Sequence, residues 1–205
     1  MVVSQRQKHK GLGKQHKCDE GSPQLVARGK TLVGLGANCP GPWGSPADTI
    51  ARALAEIARA GVSVEAVSAY YETAAVGRAG QPPYVNAAAR LETHMSPEAL
   101  LRLLKRIERA AGRRGGSPWG PRTFDIDILD YKGLVKHWRK GRPRFTRPGP
   151  KPLVLPHPWI EKRPFVLRPL LDIAPDWRHP VLKTTARALW RQAEGGSEGQ
   201  VMRKL

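Results

Sequence analysis

Thr31-Leu32-Val33-Gly34-Leu35-Gly36 is a short apolar run of the kind a buried strand requires. Beyond a Pro/Gly loop the apolar spacing lengthens to Ile50, Ala53, Leu54, Ile57 and Ala58, one face of a helix. Ser45-Pro46-Ala47-Asp48 supplies an N-cap serine, a first-turn proline and an acid at the third helical position, and Gly61 ends the segment. Residues 62–71 and 84–93 read as two strands divided by Gly/Pro-rich sequence. Ser96-Pro97-Glu98 opens a second helix carrying Leu100, Leu103, Leu104 and Ile107, which Gly112 closes, and residues 123–129 form a fourth strand. The order strand-helix-strand-strand-helix-strand predicts an α+β, ferredoxin-like split βαβ core. Residues 163–174 and the stretch after Thr184 predict extra C-terminal helices packed on the sheet.

Three stretches lack such a pattern. Residues 1–30, rich in Lys, Gln, Gly and His, are expected to be a disordered basic tail, and 195–205 a flexible C-terminus. Between them one domain, 31–194, carries a basic loop insertion at 136–152. A chain of 205 residues, 40% hydrophobic and 25% charged, buries a core without disulfide or metal staples. No uncharged apolar run approaches membrane-spanning length and the N-terminus has no apolar h-region, so a cytoplasmic protein with no membrane role is expected. Cys18 and Cys39 sit in unrelated contexts, which fits a reducing compartment. The net charge of +18 is concentrated in the first thirty residues and from Lys132 to Lys151, where no acid interrupts the cations. That charge suits a polyanion, either a nucleotide polyphosphate or a nucleic acid, and does not choose between them.

Two phosphate-loop patterns are incomplete. Arg28-Gly29-Lys30-Thr31 lacks the earlier glycine, since position 24 is Gln, and precedes a strand instead of following one. Gly34-Leu35-Gly36 has Cys39 where a dinucleotide fingerprint needs its third glycine. The informative segment is Trp119-Gly120-Pro121-Arg122-Thr123-Phe124-Asp125-Ile126-Asp127-Ile128-Leu129. Strand alternation puts Asp125 and Asp127 on one face while Phe124, Ile126 and Ile128 point into the core. Carboxylates roughly 6.5–7 Å apart along a strand repel unless cations sit between them. Hard oxygen donors that leave most coordination positions to water and phosphate suit Mg²⁺. Arg122 beside them completes a phosphate clamp, in place of a merely solvated strand face.

Trp-Gly-Pro-Arg-Thr-Phe-Asp-Ile-Asp-Ile strongly resembles the signature of the 6-hydroxymethyl-7,8-dihydropterin pyrophosphokinase family of folate biosynthesis. Leu35-Gly36-Ala37-Asn38, Tyr70-Tyr71-Glu72-Thr73, Gln81-Pro82-Pro83-Tyr84-Val85-Asn86-Ala87-Ala88, Arg106-Ile107-Glu108, Pro156-His157-Pro158 and Arg163-Pro164-Phe165-Val166-Leu167 extend the resemblance in the same order. It implies transfer of the pyrophosphoryl group of ATP, the co-substrate, to the pterin hydroxymethyl oxygen with release of AMP. It further implies two Mg²⁺ ions on Asp125 and Asp127, and catalytic roles for Arg113 and Arg122. Thr73, Val76, Tyr84, Asn86, Trp119 and Phe165 would hold the pterin, and Lys105, Glu108, Arg113, Arg122, Ile128, His157 and Arg163 would line the nucleotide site.

Tyr84 and Asn86 share strand parity, so one face offers a ring to stack and an amide to read a heterocycle edge. Ala74-Ala75 stands where the family usually has Pro-Pro, and the loop between Arg113 and Trp119 is shorter than in many members. The expectation is a monomeric enzyme acting on ATP and hydroxymethyldihydropterin. The rivals are a nucleic-acid-binding protein on the same fold and an inactive scaffold. The intact Asp125/Asp127/Arg122 set opposes the scaffold, and the basic stretches lack the regular aromatics of a nucleic-acid module.

Overall fold

The computed structural model describes residues 30–76, 80–114, 122–139, 152–195 and 199–205. The tail before residue 30 and the centre of the basic insertion, 140–151, lie outside the described residues. The chain runs β1 (Thr31–Ala37), α1 (Pro46–Arg59), β2 (Ser63–Val67), β3 (Tyr71–Thr73), β4 (Tyr84–Glu92), α2 (Pro97–Ala110) and β5 (Asp125–Tyr131). A single 3₁₀ turn (Ile160–Lys162), α3 (Pro164–Ile173), α4 (Ala186–Ala193) and β6 (Val201–Lys204) follow. Both core helices begin as their caps dictate. Ser45 and Asp48 exchange side-chain-to-backbone hydrogen bonds, and the Ser96 hydroxyl accepts from the Ala99 N–H at 3.2 Å.

The strands form one antiparallel sheet in the order β5-β1-β4-β3-β6, with β2 also paired to β4. This is the strand order of the ferredoxin-like α+β fold, extended at one edge by β6. Side-chain alternation divides the interior into two cores. Val33, Leu35, Ala87, Ala89, Ile126 and Ile128 meet Ile50 and Ile57 of α1 and Leu100 and Leu104 of α2. On the opposite face Leu32, Ala88 and Leu129 meet Leu167 and Leu170 of α3 and Leu189 of α4. The same parity turns Asp125 and Asp127 away from α1 and α2, toward the α3 side.

The structure differs from the sequence expectation in three places. The strand expected over 62–71 is broken into β2 and β3, because the Ser68 hydroxyl accepts from the Ala88 N–H at 2.9 Å and takes the place of a ladder bond. The fourth strand begins at Asp125, two residues later than expected. The C-terminus expected to be flexible instead pairs residues 201–204 with β3, and Arg203 bonds Glu72 at 3.0 Å. Its residues are mostly exposed, so hydrogen bonding to β3, and not an apolar face, attaches it.

Candidate active site

A cavity of about 120 Å³ opens on the α3 side of the sheet. Gly36 of β1, Tyr84 and Asn86 of β4 and Asp125 and Asp127 of β5 form its floor. Thr73 and Val76 close one side; Arg122, Arg163 and Phe165 close another. Asn86 is nearly buried, and its amide donates to the Thr73 hydroxyl at 2.8 Å. Glycine at position 36 is what gives Asn86 room, since a Cβ there would stand 2.7 Å from Asn86 Oδ1. The cavity lining thus combines the Tyr84 and Phe165 rings and an oriented amide with two carboxylates among arginines.

The charged end is tightly organised. Arg113 and Arg122 both hydrogen-bond the Asp125 carboxylate, and Arg113 also reaches the Phe124 carbonyl at 3.3 Å. Glu108, 2% exposed, accepts through Oε1 from Lys105 at 2.6 Å, Arg113 at 3.2 Å and the Ile126 N–H at 2.9 Å. Burial pushes the Glu108 carboxyl above its ordinary value despite Lys105 beside it. Asp127 lies 3.6 Å from Arg163 and 3.8 Å from His157 Nε2. Desolvation opposes its ionisation, but the surrounding His157, Arg163, Lys105 and Arg113 outweigh it and hold its carboxyl below the usual range.

Burial, reinforced by the Arg163 charge, lowers the His157 pKa to about 4, so the ring is neutral near pH 7. His157 Nδ1 accepts from the Trp159 N–H at 3.2 Å, and Nε2 lies 3.3 Å from Arg163 Nη1 and 3.8 Å from Asp127. Arg163 is fixed by rings as well, with its guanidinium 5.1 Å from the Trp159 centroid and 5.6 Å from that of Phe165.

The structure brings nearly all the expected residues together. Thr73, Val76, Tyr84, Asn86, Arg122, Asp125, Asp127, Arg163 and Phe165 line the cavity, while Lys105, Glu108, Arg113 and His157 surround its carboxylates. Trp119 lies outside the described residues. Ile128 does not join them through its side chain, which is 4% exposed and packed in the α1/α2 core on the other face of β5. Sequence reasoning gave no role to Asn38. Its Oδ1 accepts from the Arg122 N–H at 2.8 Å and its Nδ2 donates to the Pro82 carbonyl at 3.2 Å, tying the approach to β5 to the approach to β4. A buried asparagine directly after an apolar strand was the available signal.

Among the described residues no three or more His, Cys, Asp or Glu side chains gather as a metal cluster. Two carboxylates on one strand face, next to cations that themselves attract phosphate, fit Mg²⁺ arriving with a polyphosphate better than a closed protein cage. Residues 32–175 match the family model described as 7,8-dihydro-6-hydroxymethylpterin-pyrophosphokinase. The chain belongs to this family. It is 39% identical over 150 residues to the 2-amino-4-hydroxy-6-hydroxymethyldihydropteridine pyrophosphokinase of Synechocystis sp., covering 73% of this chain and 68% of the relative. With the enzyme of that name from Aquifex aeolicus it shares 34% identity over 151 residues, covering 74% and 84%. A mitochondrial folate synthesis bifunctional protein of Arabidopsis thaliana is 37% identical over 144 residues, covering 70% of this chain and 23% of that one. The wild-type HPPK-DHPS structure of Plasmodium falciparum superposes with a TM-score of 0.57 at 15% identity, covering 80% of this chain and 43% of that one, a likeness of fold. Pyrophosphokinases of this family transfer the pyrophosphoryl group of ATP to hydroxymethyldihydropterin in folate biosynthesis, so the chain is a transferase.

Proposed function

We propose that the cavity is the site of this transfer, with the pterin between Tyr84 and Phe165 and the ATP phosphates over Asp125 and Asp127. The hydroxymethyl oxygen bonds to the β-phosphorus and gives up its proton to solvent, the bridge to the α-phosphorus breaks, and AMP leaves. The observation that supports this most is one cavity whose lining joins rings and an amide that suit a flat polar heterocycle with carboxylates and arginines that suit a polyphosphate. Two Mg²⁺ ions held by Asp125 and Asp127 would neutralise charge on the transferring group.

The protein's own part is positioning. Thr73 holds Asn86, and Asn86 reads the heterocycle edge. Arg113 and Arg122, gathered on Asp125, would be free to meet phosphate oxygens if that carboxylate held a cation. His157 turns Nε2 toward Asp127 and Arg163, Lys105 and Arg163 add positive charge, and Glu108 holds Lys105 and Arg113 in place. Ile128 contributes through its backbone, and Trp119 adds a further pterin contact. A monomer in the cytoplasm is part of the same proposal. Among the described residues no helix is long and apolar enough to cross a membrane.

Asp125→Ala and Asp127→Ala test the assignment. Each is expected to nearly abolish turnover at ordinary Mg²⁺ while pterin affinity, read by fluorescence titration, changes far less. Normal turnover in either variant overturns it.

A further inference from the structure

We propose that the C-terminal strand is the back wall of the pterin subsite and that Gly199 is a positioning residue for the Phe165 ring; this rests on the reading of the cavity given above. Gly199 is buried and has φ +67°, a left-handed conformation that suits glycine. A Cβ on it would meet Phe165 Cδ1 at 2.4 Å, Phe165 Cε1 at 3.0 Å and Val76 Cγ2 at 3.1 Å. Phe165 and Val76 both line the cavity, so Gly199 stands directly behind two of its walls.

The next residue continues the contact. The Gln200 carbonyl accepts from the Ala74 N–H at 2.9 Å, and Val201 pairs with Thr73. A proline at 74 would have no N–H to give. Alanine there lets β6 take over the task of fixing the 73–76 wall. Met202 of β6 is 58% exposed and Leu205, just beyond the strand, 52%, so little core burial depends on this segment. Its consequences therefore fall on the pocket it borders, and through Phe165 on the fit of the heterocycle.

Gly199→Ala, Ala74→Pro, Phe165→Ala and the double variant Gly199→Ala/Phe165→Ala test this by titration with 6-hydroxymethyl-7,8-dihydropterin and, separately, αβ-methylene-ATP. Gly199→Ala is expected to weaken pterin binding about tenfold, the effect of overpacking a filled site, with nucleotide affinity unchanged. Ala74→Pro is expected to weaken pterin binding alone. In the Phe165→Ala background the alanine at 199 loses both ring clashes and keeps its backbone strain, so the double variant is expected to bind pterin as Phe165→Ala does. Wild-type pterin affinity in folded Gly199→Ala, equal loss of both ligands, or the same penalty with and without Phe165 overturns the inference while leaving the site reading intact. A wild-type protein that binds no pterin overturns both.

Discussion

Replacing Glu108 with alanine removes one carboxylate oxygen from three donors at once, and the structure indicates what each loss costs. The Ile126 N–H bonds that oxygen at 2.9 Å, in a strand residue that is 0% exposed, so no water replaces the acceptor. An orphaned buried N–H costs about 1–3 kcal/mol. Arg113 keeps Asp125 and the Phe124 carbonyl, and Lys105 is 40% exposed, so each of these losses is in the range of a surface pair, about 0–1 kcal/mol. Removing Glu108 also recovers part of the desolvation that pushes its own carboxyl up. The balance is a destabilisation of about 2–3 kcal/mol for Glu108→Ala, dominated by the backbone donor. Glu108→Gln keeps an amide oxygen for Ile126 and should cost about 1 kcal/mol or less. Urea unfolding of the three proteins at one pH measures both differences. An alanine variant as stable as wild type, or a glutamine variant as unstable as the alanine one, refutes the reasoning.

Three further outcomes are expected. Tyr84→Ala and Phe165→Ala should each weaken pterin binding by ~1–3 kcal/mol if the rings act as stacking platforms, with nucleotide affinity moving much less; calorimetry showing the reverse would place the two ligands the other way round. His179 is 0% exposed and flanked edge-on by Trp138 and Trp177, and burial lowers its pKa from 6.5 to about 4. The unfolded chain therefore takes up this proton first on acidification: stability is full above pH 6.5 and falls by up to about 3 kcal/mol as pH drops toward 4. His157 titrates in the same window, so His179→Asn, whose oxygen can still accept from the Val181 and Leu182 N–H groups, should remove part of that acid slope; an unchanged slope contradicts the account. Deleting residues 140–151 should slow ATP association at low salt and leave saturated turnover intact, because steering by charge fades over a Debye length of roughly 8 Å at physiological ionic strength; lost turnover at saturation would make the loop part of the active site.

The elements that sequence reading found are those whose order is local. Ser45 with Asp48 and Ser96 with Pro97 mark helix starts within four residues, and the alternation of Asp125, Ile126, Asp127 and Ile128 sorts cavity-facing carboxylates from core. That alternation already placed the Ile128 side chain in the core; only family resemblance put it at the nucleotide. What was not legible depends on partners distant in sequence. The strand break at Ser68 requires Ala88, Asn38 acquires its role from Pro82 and Arg122, and β6 exists because β3 presents an open edge. A run such as Val201-Met202-Arg203-Lys204 has no buried face to announce it. Glu108 shows the same limit, for a lone acid on a helix reads as solvated until Ile126 and Arg113 are seen to close over it.

A pyrophosphoryl group, and not a single phosphoryl group, is expected to move from ATP to the hydroxymethyl oxygen in this cavity. Purified protein given Mg²⁺, ATP and 6-hydroxymethyl-7,8-dihydropterin can be followed by chromatography of its nucleotide products. The account predicts AMP and the pterin diphosphate in equal amounts, with no ADP and no turnover when the pterin is left out. ADP as the product, or no AMP under saturating substrates, would contradict it.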